Sequence, residues 1–156
     1  LQSTSQTTGT FAYLVFGKAG GVNNANWSNI DLATAPTTAA IRLDGPGTPG
    51  ITSTVVNAVG DINGDGYADF AWANYGSTVG GAANAGQVFV RFGGPSLGNI
   101  NFNNAIAAGD GFVISGSTAE QRVGIYVSSA GDVNGDGIGD LLVSGSGPTY
   151  LIFGRT

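Results

Sequence analysis

Two nine-residue stretches carry most of the chemistry this sequence can do. Asp61-Ile62-Asn63-Gly64-Asp65-Gly66-Tyr67-Ala68-Asp69 recurs 71 residues later as Asp132-Val133-Asn134-Gly135-Asp136-Gly137-Ile138-Gly139-Asp140. Side-chain oxygens stand at positions 1, 3, 5 and 9 of each, and glycine stands at position 6, where a chain wrapping an ion turns sharply. Hard oxygen donors at this spacing suit Ca²⁺, whereas Zn²⁺ would want His or Cys, and the chain has neither. Of ten acidic residues, six lie in these two loops, so each loop repels itself unless a cation or solvent offsets it. Two bound Ca²⁺ would bring the formal charge from −5 to −1. Asp, Asn and Gly also favour solvated turns, but turn chemistry does not explain four donor positions repeated in register.

The elements around the loops decide what kind of loop this is. A helix-loop-helix calcium site needs Glu at position 12. That position holds Trp72 in one copy and Val143 in the other. The flanks Asp69-Phe70-Ala71-Trp72-Ala73 and Asp140-Leu141-Leu142-Val143-Ser144 carry the apolar content of buried strands. Thr54–Val59 and Ile125–Ala130 precede the loops in the same way. Each loop therefore joins two strands, and its last donor belongs to the second.

Composition narrows the function classes. The 156 residues suffice for one domain, and 42% hydrophobic against 10% charged content argues for a folded chain rather than an acidic tail. The 28 glycines fit many tight turns between short strands. No apolar run reaches 18 residues, so no membrane-inserting helix is expected. A pI near 4.1 without a basic cluster argues against nucleic acid. Cys is absent, so no disulfide staples the fold, and Ca²⁺ from an extracellular milieu is expected to take that role. Leu1 stands where a Met would, which reads as a processed chain or an excised piece.

Catalysis finds no support in the residue types. Without His or Cys, Ser-His and Cys-His schemes are excluded. Paired carboxylates occur only inside the two loops, and Asp31, Asp44, Asp110 and Glu120 are scattered. No phosphate-binding glycine loop is present; Gly80-Gly81 and Gly93-Gly94 lie in hairpins or connections. Trp27, Trp72 and Tyr75 could stack on a sugar, Trp27 being the better placed because Trp72 lies in a buried strand. Asn26-Trp27-Ser28 matches a glycosylation sequon.

The repeat extends beyond the loops. Ile41-Arg42-Leu43-Asp44-Gly45 matches Phe112-Val113-Ile114-Ser115-Gly116 at the same offset. A strand ending in Phe-Gly occurs three times, at Tyr13–Gly17, Phe89–Gly93 and Tyr150–Gly154. A unit near 70 residues with four strands reads as a propeller blade. In strand labels A to D, C and D fall near 11–16 and 39–43, a full set near 52–59, 69–73, 87–92 and 111–115, and A to C near 124–130, 140–144 and 149–153. The segments 19–39 and 93–110 are long connections from C to D.

Gly-Asp-x-Asn-Gly-Asp-Gly-x-x-Asp, an apolar strand, and an aromatic strand ending in Phe-Gly together resemble the FG-GAP repeats of integrin alpha-subunit propellers and secreted bacterial proteins. The wording of Val15–Gly20, Arg42–Gly45 and Ser128–Gly137 is most similar to the bacterial versions. The resemblance implies an all-β fold of four-stranded antiparallel propeller-type blades, about two of them, with a calcium loop between the first two strands. Residues 1–156 then form a single unit: 10–45 the last two strands of a blade, 51–116 a complete blade, and 124–154 the first three strands of another. It implies two Ca²⁺ per chain, one held by Asp61, Asn63, Asp65, the Tyr67 carbonyl and Asp69, the other by Asp132, Asn134, Asp136, the Ile138 carbonyl and Asp140. The chain departs from the family after strand B, where Ala73-Asn74-Tyr75-Gly76 and Ser144-Gly145-Ser146-Gly147 replace Gly-Ala-Pro.

About two blades cannot close a ring of the usual seven, so further blades are expected from the same polypeptide or from further copies, in a ring or a filament. The function expected is a non-catalytic, extracellular or cell-surface, structural or adhesive module with a glycan or protein surface ligand. The alternatives are a carbohydrate-binding, lectin-like propeller and an accessory domain of a secreted hydrolase. Phe16, Phe92 and Phe153 are expected to be buried.

Overall fold

In a computed structural model, residues 10–17, 31–45 and 54–156 are described. Among them the chain is all strand and turn: β1 (Phe11–Val15), β2 (Ala40–Asp44), β3 (Thr54–Gly60), β4 (Asp69–Asn74), β5 (Gln87–Arg91), β6 (Ile100–Asn101), β7 (Gly111–Ser115), β8 (Tyr126–Gly131), β9 (Asp140–Ser144) and β10 (Thr149–Ile152). No helix is long and apolar enough to cross a membrane. Asn26, Trp27 and the segment 2–8 lie outside the described residues.

The strands form three sheets. β3-β4-β5-β7 is a four-stranded antiparallel meander and β8-β9-β10 repeats its first three strands. The first sheet, β1-β2-β6, pairs the expected C and D strands antiparallel. The nine expected strands are all found. The tenth, β6, lies inside the segment read as a long C-to-D connection, and it pairs in parallel with β2 of the preceding sheet.

Alternation along β4 explains how the sheets stack. Phe70 and Trp72, with Phe89 of β5 beside them, point to the first sheet, where they meet Ile41 and Leu43. Ala71 and Ala73 point the other way, with Val88 and Val90, onto Val127, Leu141 and Val143 of the third sheet. Period-two side chains on a strand covered on both faces favour an apolar run, and β4 is buried along its whole length, apolar from Phe70 to Ala73 between the polar ends Asp69 and Asn74. One face is bulky and aromatic, the other small, so aromatic and aliphatic layers alternate along the stack. The edge strands β3 and β8 are tied across the second interface by Asn57, whose Nδ2 donates to the Val127 carbonyl at 2.6 Å.

The Phe-Gly aromatics are not equally covered. Phe16 and Phe92 are half-buried, and Phe92 meets Phe112 of β7 edge-on with ring centroids 6.1 Å apart. Phe153 is 53% exposed, which corrects the expectation that it would be buried. The physical reason is local: Phe92 is covered by the fourth strand of its sheet, and the described third sheet has three.

Candidate metal centres

Each loop leaves the strand before it, β3 or β8, through a β-bulge. The register slips between Ala58 and Gly60 in one copy and between Ser129 and Gly131 in the other. The chain then winds through glycines with left-handed φ, Gly64 at 72° and Gly66 at 88°, Gly135 at 77° and Gly137 at 87°. A β-carbon is strained there, which is why the acidic residues of the loop are interleaved with glycine.

The two loops have the same hydrogen bonds, one for one. The Asp61 carboxylate accepts from the amides of Gly64 (2.8 Å), Asp65 (3.1 Å) and Gly66 (2.8 Å). Asp132 accepts from Gly135 (2.7 Å), Asp136 (3.0 Å) and Gly137 (2.8 Å). Asn63 Nδ2 donates to Asp65 Oδ2, and Asn134 Nδ2 to Asp136 Oδ2, both at 2.8 Å. Asp65 and Asp136 take the Tyr67 and Ile138 amides at 2.8 Å. The loops sit side by side, the Gly139 amide donating to the Asp61 carbonyl at 2.8 Å.

The ninth residue differs from the others. Asp69 and Asp140 are fully buried at the start of β4 and β9. Asp69 receives the Ile62 amide on one oxygen and the Gly93 amide on the other, both at 2.8 Å. Asp140 receives Val133 (2.7 Å) and Gly154 (3.0 Å) in the same way. Each carboxylate thus fastens the start of its loop to the glycine of Phe-Gly. That glycine must be bare: a β-carbon on Gly93 would lie 2.3 Å from the Ala68 carbonyl oxygen, and one on Gly154 2.2 Å from that of Gly139. The sequence showed Phe-Gly only as a recurring strand end; the reason for the glycine is this contact with loop position 8. Burial pushes the Asp69 carboxyl above the ordinary carboxylate range, the Gly93 and Ile62 amides oppose that, and the negative charges of Asp65 and Asp61 add to it.

Among the described residues no three carboxylates converge closely enough to hold a metal by themselves. In each loop, position 1 is spent on amides, position 3 is bonded to position 5, and position 9 is buried against two amides. The donor chemistry nevertheless fits a hard divalent cation. Three carboxylates and a carboxamide fall within nine residues, and the Asp65 and Asp61 charges lie close enough to act on Asp69. Asp61, Asn63, Asp65 and Asp69, and Asp132, Asn134, Asp136 and Asp140, are the side chains that would hold it, with the Tyr67 and Ile138 carbonyls as the expected backbone donors.

Residues 55–90 match the family model of the FG-GAP repeat. The match runs from β3 through the first loop and β4 into β5, so this segment is an FG-GAP repeat, and the helix-free antiparallel sheets are consistent with propeller-type blades. No curated protein matches the chain.

Proposed function

We propose that this chain is a calcium-stabilised, non-catalytic repeat module of an extracellular or cell-surface protein, with a structural or adhesive role. The observation that carries it is the bond-for-bond identity of the two acidic loops, each fastened to a Phe-Gly strand end. Such loops set the position of strands rather than of a substrate. When bound, Ca²⁺ would supply the positive charge that offsets the three carboxylates of each loop. FG-GAP repeats are typically structural or binding modules. Of the three aromatics read as sugar-stacking candidates, Trp72 is core, Tyr75 is half-buried and Trp27 lies outside the described residues.

The end blades have faces that suit further blades. Tyr126, Leu142 and Leu151 on the outer face of the third blade occupy the positions that Val55, Ala71 and Val90 bury between the second and third. Phe11, Tyr13 and Val15 share the outer face of the first blade, with Arg42 4.8 Å above the Phe11 ring. These two faces have opposite stacking polarity, so further blades or further copies can continue the stack head to tail.

Calcium titration by calorimetry, with thermal denaturation in Ca²⁺ and in chelator, tests the reading. Two sites per chain are expected. At free Ca²⁺ about 100 times the dissociation constant, each independent site stabilises by roughly 2.7 kcal/mol, which is about 5–10 °C for a chain of this size. Asp65→Ala and Asp136→Ala should each remove one site. No heat of binding at millimolar Ca²⁺ and identical melting in chelator would refute it.

A further inference from the structure

The groove between the first and second blades is occupied by the chain itself. The C-to-D connection of the second blade runs back to the first, where β6 extends the β2 edge. The Arg42 amide donates to Asn99 Oδ1 at 2.8 Å and the Phe102 amide to the Asp44 carbonyl at 2.8 Å. Phe102 then enters between the blades, 2% exposed, with its ring centroid 5.8 Å from Trp72, 5.9 Å from Phe89 and 6.4 Å from Phe70. Under this clasp Ile41 and Leu43 are fully buried and Phe89 is 8% exposed.

The groove between the second and third blades has the same construction and no clasp among the described residues. Phe112 and Ile114 replace Ile41 and Leu43 and are only half-buried. Leu141 replaces Phe70, and Tyr150 replaces Phe89 and is 45% exposed. A cavity of about 370 Å³ opens at the Phe-Gly end of this groove, lined by Phe92, Phe112, Leu141, Ile152 and Phe153 and bordered by Ile62 and the tail Gly154–Thr156; Tyr150 stands outside it. The edge beside it has the right polarity. Phe92 donates its amide to Asp110 and Gly116 donates to Gly86, which brackets the β5–β7 ladder. Gly111, Val113 and Ser115 are therefore the non-hydrogen-bonded positions, and their backbone groups turn away from β5. Val113 and Ser115 are the counterparts of Arg42 and Asp44, whose outward groups hold the clasp.

We propose that this second groove is a docking site for an extended apolar-polar-aromatic segment, the C-to-D connection of a neighbouring blade. The segment adds in parallel to the outer edge of β7, between Val113 and Ser115, and seats its aromatic ring between Phe112, Leu141 and Tyr150. The first groove specifies the occupant: residues 97–106 of this chain do the same at β2. A second copy's own clasp is not the donor, because Phe102 is already buried at home. The inference concerns a groove inside the described stack, so it stands apart from both calcium binding and packing at the end faces.

The probe is the synthetic decapeptide of residues 97–106, labelled with a fluorophore and titrated with the whole chain by anisotropy. Saturable one-to-one binding is expected, weakened more than about tenfold in a peptide carrying alanine at the Phe102 position, since a buried aromatic supplies most of the contact. Val113→Pro removes an outward amide from an edge strand, where proline is tolerated, and should weaken binding comparably while leaving the melting temperature nearly unchanged. This variant also separates the second groove from displacement of the resident clasp, which it does not touch. No binding at millimolar chain, equal binding of the alanine peptide, or full binding to a folded Val113→Pro chain would overturn the proposal.

Discussion

One methyl group added to each Phe-Gly glycine in turn should give two different answers. In Gly93→Ala the new β-carbon would stand 2.3 Å from the Ala68 carbonyl oxygen and 3.0 Å from Tyr67 Cβ. In Gly154→Ala it would stand 2.2 Å from the Gly139 oxygen and 2.8 Å from that of Ile62. Both clashes are with backbone, so the strand end must move away from the loop. Overpacking of this kind costs about 1–3 kcal/mol. The movement also stretches the amide bond to the buried Asp69 or Asp140, and hydrogen bonds to charged groups contribute about 1.5–3 kcal/mol. Together these give roughly 3–5 kcal/mol, or about 6–20 °C in melting temperature. Gly17 meets nothing within 4 Å and has no left-handed φ. Gly17→Ala should therefore be neutral or stabilising by up to about 1 kcal/mol, because alanine restricts the unfolded chain. The assay is thermal denaturation of the three variants side by side, in chelator so that metal affinity does not enter. Equal shifts in all three, or an unchanged Gly93→Ala, would refute the claim that Phe-Gly is the fastening point of the acidic loop.

Phe102→Ala should cost about 3–5 kcal/mol by emptying an aromatic-lined site, and Trp72 fluorescence should shift to the red as the first blade loosens; an unchanged spectrum and midpoint would count against the clasp. Asn57→Ala removes the 2.6 Å bond to the Val127 carbonyl and should cost about 0.5–1.5 kcal/mol in denaturant midpoint, without altering calcium stoichiometry. The Glu120 carboxyl is held below its ordinary range by the Asn84 amide first and the Arg122 guanidinium second. A lowered folded value means that its contribution is present above the unfolded value and is lost as pH falls through the folded one. Asn84→Ala should move the NMR titration of Glu120 upward, and an unmoved titration would show that the 2.7 Å Asn84 contact does not hold that carboxylate.

The sequence by itself determined the order of nine of the ten described strands and the recurrence of the acidic loop between the first two strands of a sheet. The 71-residue repeat placed β3, β4 and β7 on β8, β9 and β2 because period-two apolar runs bounded by Asp-Asn-Gly turns admit one local reading. Asp61, Asp65, Asp132 and Asp136 were legible as potential donors because they act within a few residues of one another. The tertiary structure decided what depends on contacts between distant residues. Asp69 and Asp140, alike in sequence to the other loop acids, are buried struts because Gly93 and Gly154 arrive beside them from another strand. β6 was not legible: Ile100-Asn101-Phe102 alternates for only three residues, and it becomes a strand because the β2 edge offers it partners. Phe153 was misjudged for the same reason, since a residue type can record that it ends a strand but not whether a fourth strand lies beside it. Local spacing fixes turns and periodicity; burial belongs to whatever the fold brings up against the residue.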